Sequence, residues 1–384
     1  MPPTQPPLST VLPPLICGTA TFNNQYNTDV SSLPTNAIIA RALSLGVSAF
    51  DTSPYYGPSE SLLGAALAAS NYARSSYQIL TKVGRIGGSE FDYSPEWIRY
   101  SIQRSLQRLH TGYLDVVYCH DVEFVTPAEV LVAVKELRRI RDVEGTIKYI
   151  GISGYPVPLL CELAELLFKE TGEGLDAVMS YANFTLQNDS LKGGIERLKR
   201  AGVSCVPNAS PLGMGLLRKK GVPVGGKGDF HPAPMELRRR VLEAAKWVEG
   251  RGEKLEVVSI RWALESWARE GATVGGVGGI GVNVMGVSNL EELEETMRVW
   301  NSVLDGLPVP GREVEREKRE WSLERRKEVE KIASGVRETL GNLKDYAWPS
   351  PEESYVNIRM VKGVVDEVAP LGVVKDDLSK VSRL

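Results

Sequence analysis

IKYIGISGYPVPLLCELAELLFKETGEGLDAVMSYANF, residues 147–184, holds two β-rich runs, IKYIGISG and LDAVMSYANF, joined by VPLLCELAELLFKE. Neither run alternates polar and apolar residues strictly. A nearly continuous apolar run is the pattern of a strand buried on both faces. The segment between them repeats its leucines at helical spacing. Two such strands bridged by a helix form a right-handed βαβ unit with parallel strands.

The same unit repeats in both directions. Upstream, TNAIIARALSLG leads into VSAFDTS, ESLLGAALAAS into YQILTKVG, SPEWIRYSIQRSLQRLH into LDVVYCHD, and TPAEVLVAVKELRRI into IKYIGISG. Downstream, SLKGGIERLKRAG leads into VSCVPNASPLG, and two helical stretches precede VNVMGVSN. With LICGTATF at the start, that makes eight strand-like runs. The expected fold is α/β, a (β/α)₈ TIM barrel over residues 15–305, whose usual size is about 250 residues or more. An open doubly wound sheet is the alternative. From Gly306 the pattern stops, and residues 306–384 read as a C-terminal extension packed on the barrel, led by a charged, largely solvated helix. Residues 1–14, rich in Pro, read as a flexible lead-in.

Composition narrows the function. The chain has 384 residues and a net charge of −3, so it lacks the basic field that nucleic acid requires. The longest weakly polar stretch, Val274–Val287, is too short and Gly-rich to span a bilayer. The first residues lack the basic and apolar blocks of a secretory signal. Four cysteines without a C-x-x-C pair fit buried side chains in a reducing, cytoplasmic setting. With three histidines, the chain also lacks the spacing of a zinc site, and no metal is expected.

Residues 276–281, GVGGIG, match the dinucleotide fingerprint G-x-G-x-x-G letter for letter. That motif needs a strand before it and a helix starting at its third glycine. Here a helix precedes and a strand follows, so it reads as a loop into the eighth strand.

In a barrel the residues after each strand meet at one rim. The second run ends at Asp51, with Tyr56 five residues on; the third carries Lys82; the fourth ends at His120. Singly, each has an ordinary reading as a helix cap, a snorkelling lysine or a core histidine. Together they make an acid–base site. An ammonium is expected to draw a phenol, normally near 10, toward working pH. The phenol then exchanges a proton with an alcohol or alkoxide. A histidine can orient the reacting oxygen. The set contains neither a nucleophile nor a metal ligand cluster, which assigns the hard step to a cofactor such as a nicotinamide.

FDTSPYYG, LTK, YCH, GISG and MGVSN together resemble the aldo-keto reductase family over roughly Leu15 to Leu304. The resemblance implies a catalytic tetrad of Asp51, Tyr56, Lys82 and His120, and places Tyr55 in the substrate pocket. Within the family the chain is most similar to the NAD-dependent sugar dehydrogenases, through GYLDVVYCHDVEF and LDAVMSYANF. That implies oxidation at C1 of an aldose of D-arabinose, L-galactose or L-fucose type. For the cofactor it implies Gly18 and Thr19 beneath the nicotinamide, and Ser153 and Ser180 at its carboxamide. Ser210, Leu212 and Gly213 would meet the pyrophosphate; Gly286, Val287, Ser288 and Glu292 the adenosine end. The chain departs from the family pattern at Gly154, where Asn is common, and at Ala209, where an aromatic residue is common. NADP-specific members carry Lys and Arg where this chain has Gly286 and Glu292, so NAD is expected. Asn289 and Glu292 also fit a helix-capping pair.

Phe22, Tyr55 and Phe124 follow strands and can frame a sugar pocket. Residues 216–235 read either as a flap over the cofactor or as a solvated loop. Two other functions remain open: an NADPH-dependent aldehyde or ketone reductase, and a nucleotide-binding regulatory subunit without turnover.

Overall fold

The computed structural model describes residues 5–27, 29–225 and 228–365. Eight parallel strands form a closed barrel in chain order. They are β1 (Leu15–Gly18), β2 (Ala49–Asp51), β3 (Gln78–Val83), β4 (Leu114–His120), β5 (Ile147–Gly154), β6 (Ala177–Tyr181), β7 (Asn208–Ala209) and β8 (Asn283–Gly286). β8 pairs with β1 through Leu15 opposite Asn283, which shuts the ring. The helices are α1 (Thr35–Ser44), α2 (Ser59–Ala68), α3 (Pro95–Arg108), α4 (Pro127–Arg139), α5 (Val157–Thr171), α6 (Ile195–Arg200), α7 (Met235–Glu249), α8 (Leu255–Glu270), α9 (Leu290–Asp305) and α10 (Arg316–Leu340). No helix among the described residues is long and apolar enough to cross a membrane.

Double-sided burial explains the continuous apolar strands. Ile16, Leu80, Val116, Tyr118 and Met179 fill the barrel interior. Ile79, Val117, Cys119, Ile150 and Val178, on the alternate positions, pack under the helices. All four cysteines are buried and unpaired.

The described part of the lead-in packs on the barrel: Leu8 and Leu12 are fully buried with the interior side chains. They cover the amino-terminal mouth, whose apolar lining would otherwise face water. The charged helix α10 keeps most of its surface in solvent and docks by one stripe. It packs on α7, α8 and α9 and buries Val329, Ala333, Val336 and Leu340 on one stripe. Gly335 allows this approach, since a Cβ there would lie 2.1 Å from the Trp247 ring.

The glycine loop 275–281 lies at the amino-terminal mouth. Val277 N donates to Leu12 O at 2.8 Å and Gly276 N to Ile280 O at 2.8 Å. That end is remote from the carboxyl rim, where a parallel barrel carries its chemistry.

After α10 the chain crosses the carboxyl rim, a course the sequence pattern leaves open. Gln187 Nε2 holds the backbone carbonyls of Leu343 and Tyr346. Asn357 bonds both the N–H and the carbonyl of Phe91. Arg359 pairs with Glu90 and Asp92. Residues 366–384 lie outside the described part.

Candidate active site

Parallel register brings the expected polar residues to one level of the rim. Asp51 closes β2, Lys82 lies near the end of β3 and His120 ends β4. Lys82 Nζ donates to Asp51 Oδ1 at 2.6 Å and to the Thr52 carbonyl at 2.9 Å, with both side chains almost wholly buried. The same nitrogen stands 4.8 Å from the centre of the Tyr56 ring. The edge of that ring meets His120, centroids 5.7 Å apart. Tyr56, Lys82, Asp51 and His120 all line one cavity of about 940 Å³.

The electrostatics reverse one expectation. Burial, then the carboxylates of Asp51 and Asp121, push the Tyr56 phenol well above its usual 10. The ammonium does not prevail because Asp51 neutralises it at contact distance. Asp51 itself is raised, by burial against the opposing pull of Lys82. Tyr56 is therefore a protonated donor over the whole neutral range.

Burial also lowers His120, to about 3, so it is a neutral imidazole. Its Nδ1 lies 3.1 Å from Ser53 Oγ, and Ser53 Oγ accepts from Tyr55 N at 3.1 Å. The Asp121 carboxylate, 3.6 Å from Nε2, favours the tautomer with its hydrogen on Nε2, and in that tautomer Ser53 Oγ donates to Nδ1. Tyr93 fixes the backbone by donating to the His120 carbonyl at 2.6 Å.

Beside the tetrad stand groups that the strand-end pattern missed. Asp121 contacts both the Arg85 guanidinium and, at 3.6 Å, His120 Nε2. Burial opposes ionisation of Asp121, yet Arg85 holds the carboxyl below its usual range. Arg85 also bonds Tyr55 Oη at 3.0 Å and lies 3.8 Å over the Tyr55 ring. Tyr181 and Trp348 join the cavity wall. Asp121 and Arg85 were within reach of a reading extended to the next polar residue after each strand. Trp348 gave no signal, since it belongs to no βα unit.

Not every expected residue reaches the cavity. Tyr55, Phe124, Gly18, Ser153, Ser210, Leu212, Gly286 and Ser288 line it. Phe22 does not: it is fully buried in the core between sheet and helices. Thr19 is also fully buried, its hydroxyl bonded to the Asp51 carbonyl and to Ser59. Ser180 is turned to the Tyr155 carbonyl and the Asn183 amide. Val287 is buried, and its carbonyl accepts from Thr21. Glu292 accepts from Ser288 N at 2.9 Å and pairs with Arg218 at 3.2 Å. Asn289 does cap the following helix, α9.

Gly154 has a steric reason: a Cβ there would lie 2.4 Å from Glu123 Oε2. Glu123 Oε1 accepts from Tyr155 N at 2.9 Å and from Ser350 Oγ at 3.0 Å, while Oε2 has no described partner. Burial, then Asp121, raises this carboxyl to about 8. A folded pKa above the unfolded value of about 4.3 means stability is full below that value and falls as pH rises to about 8. Glu123→Gln should flatten this decline, read from denaturant midpoints at pH 5 and pH 8. A variant that keeps the wild-type slope would show Glu123 to be ionised already.

A nicotinamide dinucleotide fits the remaining cavity. The loop after β7 has left-handed backbone at Ser210, Gly213, Met214 and Gly215. Successive turns of this kind present backbone N–H groups to an anion such as a pyrophosphate. Arg218 lines the same stretch. Residues 216–225 and 228–235 fold against it: the Phe230 ring packs on Tyr26, and His231 bonds the Gly213 carbonyl at 2.9 Å.

The chain is 44% identical over 286 residues to D-arabinose 1-dehydrogenase of Saccharomyces cerevisiae, covering 73% of this chain and 81% of that one. It is 33% identical over 280 residues to L-galactose dehydrogenase of Arabidopsis thaliana, covering 70% and 83%. The solved glycerol dehydrogenase of Gluconobacter oxydans shares the fold, with TM-score 0.59, 20% identity, and 90% and 96% of the two chains covered. Residues 14–306 match the family model for the Aldo/keto reductase family, a span that includes all eight strands and the whole tetrad. The chain therefore belongs to the aldo/keto reductase family, enzymes that work with a nicotinamide cofactor.

Proposed function

We propose that this enzyme oxidises the C1 hydroxyl of a cyclic aldose, of D-arabinose, L-galactose or L-fucose type, to the aldonolactone, with NAD as the oxidant. One observation carries the reading. Beside Tyr56 and His120 the cavity sets an Arg85–Asp121 pair among the rings of Tyr55, Phe124, Tyr181 and Trp348. A sugar ring needs that combination: polar partners for its hydroxyls and apolar faces for its C–H surfaces.

A bound nicotinamide supplies the hydride acceptor. The protein supplies the rest. In the oxidation the ionised fraction of Tyr56 takes the proton of O1 as hydride leaves C1; in the reverse direction the phenol returns that proton. The Nε2–H of His120 donates to the same oxygen and fixes its orientation. Lys82 and Asp51 position the phenol without net charge. The rim-crossing segment with Trp348 shields the site from bulk water.

Tetrad residues Tyr56, Lys82, Asp51 and His120 argue for turnover rather than a regulatory role. Glu292 supports NAD, since a carboxylate at the adenosine end repels a 2′-phosphate and can accept from a ribose hydroxyl. Arg218, paired with it, is the observation that favours NADP and an aldehyde or ketone reductase. Four buried, unpaired cysteines support a reducing cytoplasmic setting. The test is reduced-cofactor formation with D-arabinose, L-galactose and L-fucose, each with NAD and NADP. A clear kcat/KM preference for NAD with at least one aldose is expected. Preference for NADP, with turnover of simple aldehydes alone, overturns the reading.

A further inference from the structure

Asp121 follows directly on a catalytic histidine, yet the tetrad chemistry does not use it. Its backbone is left-handed, φ 54° and ψ 61°, a conformation few residues other than glycine adopt. Such strain persists where the surroundings over-determine it and is common at ligand-contacting positions. The carboxylate is buried at the cavity wall, with only 2% of the residue exposed.

Its orientation is set by a rigid partner. One carboxylate oxygen, Oδ2, is taken by the Arg85 guanidinium. Arg85 is itself fixed by the Tyr55 hydroxyl, by the face of the Tyr55 ring and by the Gly87 carbonyl at 3.3 Å. That leaves Oδ1 to accept from a ligand. Oδ2 stands 3.6 Å from His120 Nε2, the atom that addresses the reacting oxygen. The two vicinal oxygens of a gauche diol are separated by about a hydrogen-bond length. A ligand with O1 on His120 and Tyr56 therefore brings its neighbouring hydroxyl to the Asp121 carboxylate.

We propose that Asp121, clamped by Arg85, accepts a hydrogen bond from the hydroxyl on C2 and makes the site selective for 2-hydroxy aldoses over substrates without that group. This deepens the aldose reading and rests on it. Arg85 positions; Asp121 makes the contact. A hydrogen bond to a preset carboxylate is charge-assisted and stronger than a neutral one. A substrate without the hydroxyl leaves that buried acceptor unmade, which is where specificity of this kind arises.

The experiment compares kcat/KM for D-arabinose and for 2-deoxy-D-erythro-pentose, its 2-deoxy analogue. If another aldose of the panel turns over better, that sugar and its own 2-deoxy form are used. Wild type should favour the hydroxylated sugar by about 10–100-fold. Asp121→Asn keeps the shape and tolerates the left-handed backbone. It should shrink the preference to a few-fold, whatever happens to the absolute rate. Arg85→Gln, which unclamps the carboxylate, should shrink it too and serves if the first variant does not fold. A merely structural ion pair would lower both sugars together and keep the ratio. Equal use of both sugars by wild type, or an unchanged ratio in a folded variant, overturns this inference alone. Turnover of neither sugar with either cofactor removes the aldose reading and this inference with it.

Discussion

Tyr56→Phe should lower kcat by about 10²–10⁴-fold, the usual contribution of a positioned acid–base group, and leave cofactor affinity nearly unchanged. The phenol oxygen is the one part lost. The ring stays against His120 and Lys82, where its edge and face are already packed. Because burial and two carboxylates hold this phenol well above 10, it is charged in only a small fraction of molecules at neutral pH. Sugar oxidation, which needs the oxygen as a base, should therefore speed up as pH rises through the alkaline range. His120, held to about 3, adds no limb between pH 5 and 8. The check is a kcat and kcat/KM profile from pH 5 to 10, beside a cofactor titration by fluorescence. Substantial turnover in the phenylalanine variant would remove Tyr56 as the proton-exchanging group.

Lys82→Met should be the most destabilising change in the site, at about 3–5 kcal/mol. It strands Asp51, which is 4% exposed and makes its one side-chain ion pair among the described residues with Lys82. The second oxygen of Asp51 has no described partner at all, so nothing takes over. Activity should vanish too, as the ring of Tyr56 loses the ammonium beneath it. Asp51→Asn combined with Lys82→Met separates the two effects. Removing both charges should recover most of the lost stability, because a buried pair contributes little beyond its own desolvation. It should not recover turnover. Denaturant unfolding of wild type, Asp51→Asn, Lys82→Met and the double variant gives the double-mutant cycle. A single Lys82→Met variant as stable as wild type would mean that Asp51 is protonated in the folded protein.

The sequence by itself determined the repeating strand–helix order, and through it the barrel and the common rim. That follows because periodicity is a local consequence of which faces are buried. IKYIGISG is nearly continuous in apolar and small residues, with Lys148 at its start as the one partly exposed position, since both its faces are covered. The same logic exposed Asp51, Lys82 and His120, each at a strand's carboxyl end, where side chains must converge. It also disposed of the glycine loop 276–281, whose neighbours stand in the wrong order for a phosphate-binding turn. Tertiary structure decided everything that depends on fields and on long-range contact. Whether Tyr56 rises or falls in pKa depends on the sum of Asp51, Asp121, Arg85 and burial, and those groups come from three separate strand ends. Phe22 follows a strand as Tyr55 does, yet only the packing of helices around the sheet sends one ring into the core and the other into the cavity. Trp348 and Ser350 close the site from a segment outside the repeat, held by Tyr155 and Glu123 nearly two hundred positions or more away in the chain. No local pattern encodes that meeting, because its energy belongs to surfaces that exist only once the barrel has formed.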